Sequence, residues 1–200
     1  PMGSNRRDPW LDPSLLPERA EGIIALSGCA HGAIPQALDA GRWDEARTLA
    51  RQYLEWFGDR FYIELQQNLV HGDTSRMKAL VSLGRELGIP LVASNNAHYH
   101  IRDRHRLQDC LVAASHRKTL EESHCERRAN AEYYLKPAEQ MARLFREMPE
   151  AIENTLAIAE RCGFNPTIDL TYRFPEYPVP EGKSQADYLD ELCRSVAKRR

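Results

Sequence analysis

The run Gly22-Ile23-Ile24-Ala25-Leu26 is apolar without interruption and closes on Ser27-Gly28, the pattern of a short strand buried on both faces. From Trp43 to Phe57 the pattern changes to a helical one. Trp43, Ala46, Leu49, Ala50, Tyr53, Leu54 and Phe57 recur every three or four residues, and Gly58 supplies a stop. A second strand is predicted over Arg60-Phe61-Tyr62-Ile63-Glu64-Leu65-Gln66. Asp73 or Thr74 then caps a helix carrying Met77, Leu80, Val81 and Leu87, which Gly88 ends before a third strand, Pro90-Leu91-Val92-Ala93. The order β-α-β-α-β predicts an α/β fold, with right-handed crossovers and a parallel sheet or barrel.

After His100 the pattern is wholly helical. Leu107, Cys110, Leu111 and Ala114 share one face, and a polar stretch follows from Ser115 to Asn130. Lys136-Pro137 opens a helix with Met141, Leu144 and Phe145, and Pro149 opens another with Ile152, Leu156 and Ala159, closed by Gly163. Pro166, Pro175, Pro178 and Pro180 mark an extended linker before a last helix from Ser184 to Lys198. Trp43, Trp56, Phe61, Tyr62, Met141 and Phe145 are core by periodicity.

The strand order places three loops at one edge of the sheet: Ser27-Gly28-Cys29-Ala30-His31, Asn68-Leu69-Val70-His71 and Ser94-Asn95-Asn96-Ala97-His98. All leave the C-terminal ends of strands, where parallel α/β folds collect functional groups. The sharpest feature is Ser94-Asn95-Asn96-Ala97-His98-Tyr99-His100, whose oxygens and imidazoles at one strand end suit a metal or, equally, a hydrogen-bonded structural turn.

Composition narrows the remaining classes. Five cysteines with no C-x-x-C pair exclude a disulfide framework or a zinc ribbon. A net charge of -2 gives no global argument for nucleic-acid binding, although Arg102, Arg104 and Arg106, Arg127-Arg128 and Lys198-Arg199-Arg200 form local basic clusters. No apolar run approaches the ~20 residues of a membrane span, and the start lacks the features of a signal peptide, so a cytoplasmic protein without a membrane partner is expected. Met2-Gly3-Ser4 reads as a cloning remnant, and residues 1–9 are set aside as a tag remnant or disordered segment.

Three stretches, Ile24-Ala25-Leu26-Ser27-Gly28-Cys29, Phe61 to Gln66 and Val92-Ala93-Ser94-Asn95-Asn96-Ala97-His98-Tyr99, resemble consecutive PHP motifs of bacterial C-family DNA polymerase alpha subunits. Asn130-Ala131-Glu132-Tyr133-Tyr134-Leu135-Lys136-Pro137, and then Pro149-Glu150-Ala151 through Cys162, resemble that family's connector helices. Phe174-Pro175 through Gly182, with Tyr188-Leu189, resembles the entry to its palm. The likeness runs from about residue 10 to the end, and His98-Tyr99-His100 with Leu107-Gln108-Asp109 leans toward the error-prone branch of the polymerase III alpha subunits.

That resemblance implies a partial PHP domain, a distorted β/α barrel, over residues 10–115, a helical connector over 116–165, and a linker with the start of the palm over 166–200. The parent protein would be a DNA-directed DNA polymerase using palm carboxylates and Mg, with DNA and other polymerase subunits as partners; the chain by itself would be inactive, with no catalytic residue. It also implies zinc or manganese at a PHP site whose ligand set is incomplete here. Cys29 and His98 fall on ligand positions, Cys29 being equally readable as a small core residue. Asn96 falls where the family often has an aspartate, a degraded position because a neutral amide lacks the carboxylate's charge. Glu64 is a ligand, a group supporting the ligands, or a strand carboxylate paired with an arginine. His31, His71 and His100 lie in the same loops at no ligand position, as supporting or surface residues. Two other classes stand beside this reading: a stand-alone PHP phosphoesterase and a protein-interaction module. Three strands cut from a barrel leave open edges, so self-association is expected as well.

Overall fold

The computed structural model describes residues 12–170 and 178–197. The expectations for residues 1–9, Phe174-Pro175 and Lys198-Arg199-Arg200 lie outside the described residues. The chain divides into two compact units, residues 1–162 and 163–200.

The first unit is an α/β structure in which a short helix, α1 (Leu16–Arg19), leads to β1 (Ala25–Leu26). α2 (Ala33–Asp39), α3 (Trp43–Phe57), β2 (Phe61–Gln66), α4 (Asp73–Leu87) and β3 (Leu91–Ser94) follow. The three strands form one parallel sheet in the order β1-β2-β3. Ala25 stands opposite Phe61, and Ile63 through Gln66 stand opposite Leu91 through Ser94. α5 (His105–His116), α6 (Ala138–Leu144) and α7 (Pro149–Arg161) complete the unit.

β2 is the central strand, and its first five residues are buried. Phe61, Ile63 and Leu65 are fully enclosed with Ile34 of α2, Ala46 and Ala50 of α3, Leu83 of α4 and Phe145. Each such large side chain contributes about 1.5–3 kcal/mol of transfer free energy. Trp43, Trp56 and Met141 pack partly buried against this cluster. Gly84 lets α4 lie close on the sheet, since a Cβ there would stand 2.7 Å from Leu91 Cδ2.

Several local expectations change. The first strand is only two residues long and is an outer strand, not one buried on both faces, with Ile23 and Leu26 49% and 40% exposed. The apolar stripe of α5 is also exposed at Leu107 and Leu111, and only Ala113 of that helix is buried. On α7 the inward stripe is Ala151, Ile152, Thr155 and Ile158, one position away from the expected line, and Leu156 is exposed. α2 carries no signal that the periodicity reading used, because its seven residues end before a stripe can repeat.

The far edge of the sheet is closed from a distance. α7 packs along β3, and Asn154 Nδ2 donates to the Leu91 carbonyl oxygen at 2.7 Å, supplying the partner that an edge strand lacks. Arg161 at the end of the same helix donates to the Tyr62 hydroxyl and to the Asp59 carbonyl, both at 2.9 Å.

The second unit holds α8 (Gln185–Ala197), led in by Ser184, whose hydroxyl accepts from the Asp187 N–H at 3.1 Å. None of its described residues is buried. Among the described residues no helix is long and apolar enough to cross a membrane.

A strand-end cavity as the candidate functional site

Parallel pairing aligns the C-terminal ends of β1, β2 and β3, and the loops that leave them surround a cavity of about 110 Å³. The first loop contributes Gly28, Cys29, Ala30 and His31; β2 and its loop contribute Glu64, Gln66, Asn68 and Val70; the third loop contributes Asn96. Cys29 is half-buried and faces this space, so it is not sealed in the core. The first loop turns tightly because Gly32 brings its backbone against the loop's own carbonyls. A Cβ there would meet the Ser27 oxygen at 2.7 Å.

Glu64 is 9% exposed, and no ion pair with an arginine forms among the described residues. Its Oε1 accepts from the Ser94 hydroxyl on β3 and from Gln66 Nε2 of its own strand at 3.0 Å, so neutral donors hold the carboxylate. Its backbone N–H donates to Ser27 Oγ at 2.9 Å, which fastens β2 to the first loop.

The second loop is organised by a residue that the sequence reading used only as a helix cap. Asp73 is 4% exposed, and its Oδ2 accepts from the backbone N–H groups of Asn68 at 2.7 Å and Val70 at 3.3 Å. Its Oδ1 accepts from Arg76 Nη1 at 3.1 Å, while Arg76 Nε donates to Asp39 at 2.8 Å. Asp73 and Arg76 both line the cavity. The D-x-x-R spacing of a helix's first turn was the available signal for this pair.

The cavity's remaining wall comes from beyond α5. Tyr133 and Arg128 line it, and the segment carrying them is tied down by Asn130 Nδ2, which donates to the Asn68 carbonyl at 2.8 Å. The Tyr99 backbone also bridges to Tyr134 in a parallel register. The first link joins residues 62 apart in the chain, and no local pattern foretells either of them.

His98 stands at the rim and does not line the cavity. Its ring packs edge-on to Tyr133 with the ring centroids 5.8 Å apart, and Arg128 Nη2 donates to its Nε2 at 2.8 Å. Burial against these neighbours, and then the Arg128 charge, push its pKa below the usual imidazole value. The guanidinium lies over the Tyr133 ring at 4.9 Å. Burial raises the Tyr133 phenol. His71 and His100 are exposed and outside the cavity lining, whereas His31 is exposed at its mouth.

This donor set does not fit a divalent metal. The His98 nitrogen that would ligate already accepts from a guanidinium, Glu64 is committed to Ser94 and Gln66, and Asn96 offers no charge. Among the described residues no three His, Cys, Asp or Glu groups stand close enough to share an ion.

Residues 3–68 match the PHP domain family. The matched segment includes Cys29, His31 and Glu64 and stops before Asn96 and His98. Over 199 residues, 99% of its length, the chain is 42% identical to the error-prone DNA polymerase of Symbiobacterium thermophilum. It is 34% identical over 187 residues to DNA polymerase III subunit alpha of Pseudomonas fluorescens, and 35% identical over 189 residues to that of Thermus aquaticus. The chain covers 99%, 94% and 92% of its own length in these alignments but spans only 18%, 16% and 16% of the three relatives.

Proposed function

Because the chain carries a PHP-domain segment and is homologous along nearly its whole length to one part of the bacterial error-prone and DNA polymerase III alpha polymerases, we propose that it serves as the PHP and connector region of such a polymerase. The full protein would extend a DNA primer with deoxynucleotides, in the cytoplasm, together with other polymerase subunits. On this reading residues 10–115 are the PHP region, 116–165 the connector and 166–200 the approach to the palm. Nucleotide addition, with its magnesium ions, belongs to the palm and to no residue described above.

One observation carries the proposal: the alignment at 42% identity covers 99% of the chain, and so takes in the sheet and also α6, α7 and α8. A stand-alone phosphoesterase would need only the sheet and its loops. The strand-end cavity favours a scaffold role over metal-assisted hydrolysis, since Asn96 is neutral and His98 at the rim already accepts from Arg128. β1 remains the open edge of the described sheet, which favours addition of further strands or self-association there.

Primer extension tests the reading. The full-length protein should incorporate deoxynucleotides on a primed template, and the 200-residue chain alone should not. Failure of the full-length protein under magnesium would refute the polymerase assignment, and incorporation by the chain alone would refute the scaffold role.

A further inference from the structure

A second pocket, of about 250 Å³, lies between the turn that precedes α5 and the helix α6, lined by Arg102, Glu132, Tyr134, Lys136, Gln140 and Arg143. We propose that it holds a phosphate of a nucleic-acid backbone. Its polar groups are nearly all donors. The lining's single carboxylate, Glu132, is already engaged: its Oε1 accepts from Arg102 Nη2 at 2.5 Å, and its Oε2 stands 3.8 Å from Lys136 Nζ. The Tyr134 O–H donates to Gln140 Oε1, which leaves the Gln140 amide N–H groups as the free end of that side chain. Arg143, exposed on α6, forms no ion pair among the described residues.

Lys136 makes this a built site and not a surface cluster. Its side chain is 2% exposed, and its Nζ donates to the Glu132 carbonyl oxygen and lies 4.5 Å from the centre of the Tyr134 ring, with the Arg102 guanidinium 5.2 Å from the same ring. An ammonium has three donors, and one carboxylate shared with an arginine does not neutralise it; burial pulls its pKa below the ordinary lysine value despite Glu132. Three cations and one carboxylate leave two positive charges unmatched in the lining. Anionic oxygens satisfy both the charge and the open donors. The side-chain oxygens of Glu132 and Gln140 already hold cations or a phenol proton, so base and sugar N–H or O–H groups find little to bind, and the contact is made without regard to sequence. A polyanion suits the surroundings better than a single phosphate ion, because the basic cluster continues from Arg102 to the exposed Arg104 and Arg106.

The inference rests on the polymerase reading for the identity of the strand and adds a backbone contact outside the palm. Binding of the full-length protein to a primed DNA duplex is measured over a range of salt concentrations for the parent, Arg143→Gln, Arg143→Lys and Arg51→Gln, the last removing an equal charge from an exposed position on α3. Arg143→Gln should weaken binding equally on unrelated sequences and reduce the slope of log K against log salt by roughly one. Arg143→Lys, a point charge that still meets a phosphate, and Arg51→Gln should keep the parent slope. An Arg143→Gln variant with the parent slope, or an Arg51→Gln variant with the same drop, would overturn the proposal. The same preparations are titrated with inorganic phosphate at fixed ionic strength. Phosphate binding lost in Arg143→Gln while the DNA slope stays unchanged would assign the pocket to a free anion and overturn the backbone contact. Primer extension by the parent separates the two readings: an Arg143-dependent slope in a protein that never extends the primer refutes the polymerase and leaves the pocket standing, and extension with an unaffected slope does the reverse.

Discussion

Replacing Asp73 with alanine removes the carboxylate that shapes the second strand-end loop, and the structure sets the size of the effect. Arg76 would keep its bond to Asp39, so the cation is not stranded. What is stranded is the Asn68 N–H, in a residue only 6% exposed, together with the more weakly held Val70 N–H. A hydrogen bond to a charged acceptor is worth about 1.5–3 kcal/mol, and an unsatisfied buried donor costs about 1–3 kcal/mol. Allowing for overlap between these terms, Asp73→Ala should lose roughly 2–4 kcal/mol. Asp73→Asn, which keeps an oxygen but not the charge, should lose about half of that. Urea unfolding followed by the fluorescence of Trp43 and Trp56, both packed against the same core, reports the loss. Hydrogen exchange should show the Asn68 and Val70 amides losing protection ahead of β2. A loss below ~1 kcal/mol at unchanged slope, or unchanged protection of those two amides, would refute the reasoning.

Gly84→Ala should destabilise by about 1–2 kcal/mol in the same urea assay, because overpacking against Leu91 and the Ile89 carbonyl outweighs a helix-propensity gain of ~1 kcal/mol. Arg161→Ala should lower the urea midpoint and speed hydrogen exchange around Tyr62, since it removes the hydrogen bonds joining α7 to Tyr62 and Asp59; unchanged exchange there would refute the link. The depressed pKa of His98 fixes the sign of a pH effect. The unfolded chain binds the proton more readily, so the contribution is full above the ordinary value of 6.5 and is lost as pH falls through 6.5 toward the lower folded value. The urea midpoint should therefore drop from about pH 7.5 to about pH 5.5 by more in the parent than in His98→Gln, and equal drops would remove His98 from the account.

Periodicity located α3 to the residue, and α4, β2 and β3 to within a residue, because each buries a regular face against the same core. It misjudged what depends on neighbours. Ile23 and Leu26 read as doubly buried, yet no described strand lies beyond β1. Leu107 and Leu111 form a regular stripe that nothing in the described structure covers. The loops of the candidate site were legible as a group, since parallel order alone brings Cys29, Glu64 and Asn96 together. Arg128, Tyr133 and Asn130 were not, because the segment carrying them reaches the site by a tertiary path.

The closure of β3 by α7 has a consequence for the order of events during synthesis. β3 ends at Ser94, whereas the helix that caps its edge begins at Pro149. At ~5–20 residues per second a ribosome needs roughly 3–10 s to make the intervening chain. Throughout that interval the emerging polypeptide holds a finished strand with its outer backbone unprotected, a template for the wrong partner. Translation speed across residues 95–149, and chaperone occupancy of the nascent chain, would then govern the yield of correctly assembled protein as much as equilibrium stability does.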